Sequence, residues 1–142
     1  MKMNSNVVWK DGMAFEAHLD GFNFTIDSHE MHGGRNLGPK PKGLTLVSLA
    51  GCTAMDVISI LGKMRIKVDS FEVATDAVLS DEHPKMFKEI VVDYIFKGEN
   101  IPLEKVKTAI ELSIETYCGV YATLKPTVNL SYRIIINGQV MS

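Results

Sequence analysis

The chain has 142 residues, enough for one ordinary domain and short of two. Its 46% hydrophobic and 23% charged residues exclude a disordered or fibrous protein. Lys+Arg 15 against Asp+Glu 17 leave a net charge of -2, which gives no global electrostatic drive toward nucleic acid or an anionic membrane surface. The longest apolar run, Leu44 to Ala50, is broken by Thr45 and Ser48, so no stretch is expected to reach the ~20 apolar residues that span a bilayer. Met1 to Asn6 hold one lysine and no apolar core, unlike a signal peptide. The expectation is a single cytoplasmic domain over residues 1–142, with no nucleic-acid or membrane partner.

The N-terminal third alternates as short strands do. Val7-Val8-Trp9 ends at Lys10-Asp11-Gly12, Met13 to Leu19 alternates apolar with polar, and Asp20-Gly21 precedes the alternation of Phe22, Phe24 and Ile26 with Asn23, Thr25 and Asp27. Asp-Gly between alternating runs is a hairpin signal, and it occurs twice. A three-stranded antiparallel meander is expected. Ser28 to Lys42 reads as a long polar loop, of the kind that is functional or mobile. Gly43 to Lys63 reads as a helix apolar nearly all round, suited to a protein centre or a subunit interface. Asp56 is its only charge before Lys63.

Two strands follow, one with Phe71, Val73, Thr75 and Ala77 on one face, the next with Ile90, Val92, Tyr94 and Phe96. Pro102 and Glu104 suit a helix start, and Leu103, Val106, Ile110, Ile114 and Tyr117 carry a helical stripe down to Cys118. A last strand is expected from Val128 to Ile136. The order βββ-α-ββ-α-β is α+β, with antiparallel sheets around an apolar central helix.

Cys52 and Cys118 are too few for a disulfide scaffold, and too few alone for a structural zinc site. Isolated cysteines of this kind are usually small buried residues. Their neighbours argue otherwise. Asp56 lies at i+4 from Cys52 and Glu115 at i−3 from Cys118, and a carboxylate on an apolar helix needs a partner. A carboxylate raises a thiol's pKa, so a reactive Cys52 also needs a cation, with Lys10, Arg35, Lys40 and Lys42 as candidates.

The segment GPKPKGLTLVSLAGCTAMDVISIL, Gly38 to Leu61, resembles the central-helix signature of the OsmC/Ohr family of peroxide-resistance proteins. ETYCGV, Glu115 to Val120, resembles that family's second-cysteine motif, 66 residues on (118 − 52), and VWKDGMAF extends the likeness to the N-terminus. The branch it resembles is the OsmC-like one. The resemblance implies an intertwined homodimer of α+β subunits with sites at the subunit interface. It implies a thiol peroxidase acting on organic hydroperoxides in oxidative-stress defence. Cys52 would be peroxidatic, Cys118 resolving through an intramolecular disulfide, and a dithiol reductant would reset the pair. No cofactor and no metal are implied.

Two positions depart from the family pattern. Lys42 and Gly43 stand where its peroxidases carry a glutamate at the helix start, and Lys10 of Lys10-Asp11-Gly12 stands where they carry an arginine. Lysine keeps the charge and loses the planar fork. The alternative function is therefore a non-catalytic OsmC-like small-molecule binding or stress protein that has lost the usual Arg–Glu pair. In the catalytic reading Arg35 is expected to stabilise the Cys52 thiolate and to pair with Asp56, with Lys10 second. His29 and His32 have no third ligand at fixed spacing, Gly33-Gly34-Arg35 does not open a helix after a strand, and the eight methionines read as core filler.

Overall fold

Asp20 and Gly21 both take left-handed dihedrals, φ 54° and 81°. That is the two-residue turn whose twist matches antiparallel strands. In the computed structural model, which describes residues 1–142, this turn joins β2 (Ala14–Leu19) to β3 (Phe22–Ile26). A bulged turn at Gly12 joins β1 (Asn6–Asp11) to β2, completing the expected meander in the order β1-β2-β3. The chain falls into two compact units, Met1–Val47 and Ser48–Ser142.

In the first unit the long polar loop is organised by one buried carboxylate. Asp27 accepts backbone N–H bonds from Ser28 at 2.7 Å and from Arg35 and Leu37 at 3.2 Å. The Ser28 bond above all, with the other two, holds its carboxyl below the usual carboxylate range. The loop contains one 3-10 turn, Glu30–His32. Gly34 and Gly38 are required by close approach: a Cβ would stand 2.0 Å from the Ser28 carbonyl oxygen at the first and 2.0 Å from that of Thr25 at the second. Helix α1 (Pro41–Lys63) begins two residues earlier than expected, with proline at its first position.

By length and composition α1 is apolar enough to cross a membrane, with a mean hydropathy of 1.9, which corrects the expectation that no segment comes close. Its hydroxyl residues break the run in sequence without offsetting the apolar ones between them. The core helix of a water-soluble fold has the same character. Leu49, Thr53, Val57 and Leu61, four residues apart, form its fully buried stripe.

The second unit holds β4 (Ser70–Leu79), β5 (Phe87–Lys97), α2 (Leu103–Leu112), α3 (Gly119–Leu124), β6 (Asn129–Ile136) and β7 (Gln139–Val140). The sheet order is β4-β5-β6-β7. Register places Phe71, Val73, Thr75 and Ala77 beside Phe96, Tyr94, Val92 and Ile90, and these beside Ile136, Ile134, Tyr132 and Leu130. One apolar face results, with Phe71 and Phe96 stacked at 4.6 Å. On the opposite face Arg133 forks onto Asp93 at 2.8 and 2.7 Å, and this bond holds the Asp93 carboxyl below its usual range.

The expected α+β class holds, with two differences in the sheet. β5 and β6 run parallel, so this sheet is mixed and not antiparallel throughout. The helical segment between them is long enough to carry the chain back to the starting end of the sheet, which a hairpin cannot do. A seventh strand, β7, follows Asn137-Gly138, both left-handed at φ 50° and 83°.

Candidate functional site

Three apolar stripes each carry one hydroxyl. On α1 it is Thr53; on β5 it is Tyr94, between Val92 and Phe96; after Val106, Ala109 and Ile110 of α2 it is Ser113. All three are buried, and they meet. Thr53 Oγ1 lies 2.7 Å from the Tyr94 hydroxyl and 2.8 Å from Ser113 Oγ, and Ser113 donates to Asp56 Oδ2 at 2.9 Å. The carboxylate only accepts, and each hydroxyl has one proton to give. Donation therefore runs from Tyr94 to Thr53 to Ser113 to Asp56. Burial, foremost, raises the Tyr94 phenol, which keeps it in its donor form. The chain leaves no buried side-chain nitrogen or oxygen unpartnered.

Asp56 lies one helical turn beyond Cys52, as its spacing predicts, and that turn brings it to the thiols. The segment after α2 was expected to continue as regular helix to Cys118. Instead Ser113–Tyr117 widens into a π turn, and the Cys118 N–H donates to the Ser113 carbonyl at 2.7 Å. Cys118 itself leaves helical dihedrals, at φ −79° and ψ 100°, and caps α3 by accepting the Tyr121 N–H on its sulfur at 3.3 Å. The Sγ atoms of Cys52 and Cys118 and a carboxylate oxygen of Asp56 all lie within 4.8 Å of one another.

The two thiols are free and differ in setting. Cys52 is half-buried, while Cys118 is buried at 3% exposure. Burial pushes the Cys118 thiol up to about 11; the adjacent Cys52 thiol and the Asp56 charge push the same way, and the Tyr121 N–H pulls against them. A cleft of about 340 Å³, lined by Asp56, Ser59, Ile60, Lys63, Leu112 and Tyr117, opens on the carboxylate.

Glu115 sits in the π turn and is exposed. The i−3 rule that aligned it with Cys118 assumes a helix that has ended by then. In the first unit the Arg35 guanidinium pairs with Asp11, and Lys10 lies 3.9 Å from Glu16. The Asp56 carboxylate, the partner expected for Arg35, accepts from Ser113. Thr53, Tyr94 and Ser113 were not anticipated. Their signal was available in principle: one polar residue at a core position of three otherwise apolar stripes.

The paired thiols on this α+β scaffold define a class. The profile of the OsmC-like protein family matches residues 33–133, and the chain belongs to that family. Protein YhfA of Escherichia coli K12 is 31% identical over 136 residues, covering 94% of this chain and 98% of that protein. A hypothetical protein from Aquifex aeolicus VF5 has a similar crystal structure, with TM-score 0.85 and 26% identity over 96% of this chain and 97% of that one. An organic hydroperoxide resistance protein OsmC from Legionella pneumophila shares the fold at TM-score 0.71 and 11% identity, over 95% of this chain and 97% of that one.

Proposed function

We propose that the protein is a thiol-dependent peroxidase that reduces organic hydroperoxides, with Cys52 attacking and Cys118 resolving. One observation carries this: two free thiols and a carboxylate converge within 4.8 Å, with the accessible thiol on Cys52 and the proton-retaining one on Cys118. Family membership and the hydroperoxide-resistance relative support it. The Cys52 thiolate attacks the O–O bond, becomes a sulfenic acid and releases alkoxide, which takes a proton and leaves as alcohol. Cys118 then attacks the sulfenic sulfur, and its thiol proton leaves with the hydroxyl as water; Asp56 lies where it can carry that proton. A dithiol reductant reopens the disulfide. The setting proposed is the cytoplasm, where disulfides are transient.

The active unit proposed is a homodimer, because α1 leaves Val47, Met55 and Ile58 exposed at 65%, 73% and 46%. Free thiols counted before and after one equivalent of cumene hydroperoxide test the chemistry. Loss of both thiols per chain, reversed by a dithiol, is expected; thiols that survive overturn it. A non-catalytic binding role has its own support. Arg35 and Lys10 each already have a carboxylate neighbour, and a pocket of about 560 Å³ in the first unit is lined by Met13, Phe15, Ile26, Lys40 and Lys42 among others.

A further inference from the structure

We propose that reduced Cys52 and Cys118 bind one divalent cation of the zinc class together with Asp56, leaving a fourth position open. Spacing along the chain gave no metal site, because two cysteines 66 residues apart show no ligand motif. The fold supplies what spacing hides: the third ligand comes from the next turn of α1, and the break after α2 delivers the second thiol.

In a tetrahedral site with metal–sulfur bonds of about 2.3 Å, neighbouring ligand atoms stand about 3.8 Å apart. The present limit of 4.8 Å therefore closes by about 1 Å, within reach of side-chain rotation at the half-buried Cys52 and Asp56. Two thiolates and a carboxylate carry three negative charges. This sulfur-rich set selects soft or borderline cations over magnesium or calcium. The ligands are also held from behind. Ser113 fixes Oδ2 of Asp56 through the buried hydroxyl chain, and the Tyr121 N–H fixes the Cys118 sulfur.

Cysteine binds metal as the thiolate, so affinity rises with pH. The cation and the disulfide are mutually exclusive. Metal-bound sulfurs cannot join each other, and a hydroperoxide that oxidises the pair expels the cation. The same two thiols serve the proposed peroxidase, but the metal site rests on their geometry and not on any turnover.

The test uses reduced, chelator-stripped full-length protein titrated with Co²⁺ and with Cd²⁺. Thiolate-to-metal charge-transfer absorption that saturates at one metal per chain is expected. Cys52→Ser and Cys118→Ser should abolish the band. Ser113→Ala should weaken binding by about tenfold to a hundredfold, as loss of a ligand-orienting hydrogen bond does, and Asp56→Asn by at least as much. X-ray absorption of the Zn²⁺-loaded unmodified protein should show two sulfur ligands with oxygen, which keeps the proposal testable if a variant does not fold. Absence of a stoichiometric band, unchanged affinity in Asp56→Asn, or a shell of four sulfurs from two chains overturns it. Hydroperoxide consumption by the metal-free protein is measured separately, so either proposal can fail while the other stands.

Discussion

Cys118 holds its proton where an ordinary thiol gives it up. With its thiol pushed up to about 11, iodoacetamide at pH 8 should label Cys52 first and leave Cys118 largely unlabelled, as read by mass spectrometry of the two peptides. Comparable labelling of both would contradict the burial argument. The same shift makes stability depend on pH. The folded chain holds this proton more tightly than the unfolded chain does, from a reference value of 9.0. The contribution is therefore complete below about 9 and is lost as pH rises toward 11. Denaturant midpoints should fall over that window and flatten in Cys118→Ser. At Ser113, removing the hydroxyl leaves Thr53 and Asp56 each short of a partner. Ser113→Ala should cost about 1–3 kcal/mol by denaturant melting, the range for an unsatisfied buried polar group.

Gly34 and Gly62 make opposite predictions for one substitution. At Gly34 a Cβ meets backbone at 2.0 Å, so Gly34→Ala should lower the melting temperature by several degrees and loosen the Asp27 loop. At Gly62, inside α1 with nothing within 4 Å of a Cβ, Gly62→Ala should be neutral or stabilise by up to about 1 kcal/mol. Thermal melting of the two variants decides both. The elements built on alternation or on a long apolar run were legible in the sequence: the meander, α1, β4, β5 and β6 follow from residues that face one way. β7 was not, because two residues have no period, although Asn137-Gly138 announces a tight turn. Nor was the end of the second helix. Ile114 and Tyr117 continue the apolar stripe, and nothing in their spacing marks the π turn, where the Ser113 hydroxyl meets Thr53 and Asp56. At the site, the two cysteines and Asp56 stand out as chemistry-bearing residues on apolar ground. The hydroxyl chain does not, since which of the buried hydroxyls meet is decided by the packing of α1, β5 and α2.

At the scale of the whole molecule, exposed apolar surface is what the proposed homodimer would cover. Besides α1, the first unit exposes Trp9 at 63% and Phe22 at 76%, more than isolated surface residues account for. Light scattering at micromolar concentration should give twice the 15.7 kDa chain mass, and Ile58→Glu should shift it toward one. A single-chain mass for the unmodified protein would refute the homodimer. The parallel ladder of β5 and β6 carries a further consequence, for the order of folding. Its partners, from Glu89 with Asn129 to Phe96 with Ile136, are all 40 residues apart (129 − 89), whereas β4 and β5 meet across a local turn. Closing the longer loop carries the greater entropic cost, so β6 should dock after the β4–β5 hairpin has zipped. Pulse-labelled amide exchange should protect β4 and β5 before β6. Cys118 lies inside the loop that closes late. A chain still emerging from the ribosome, or one partly unfolded, therefore carries Cys52 without Cys118 beside it, and in that interval the Cys52 sulfur of the proposed peroxidase is open to irreversible overoxidation.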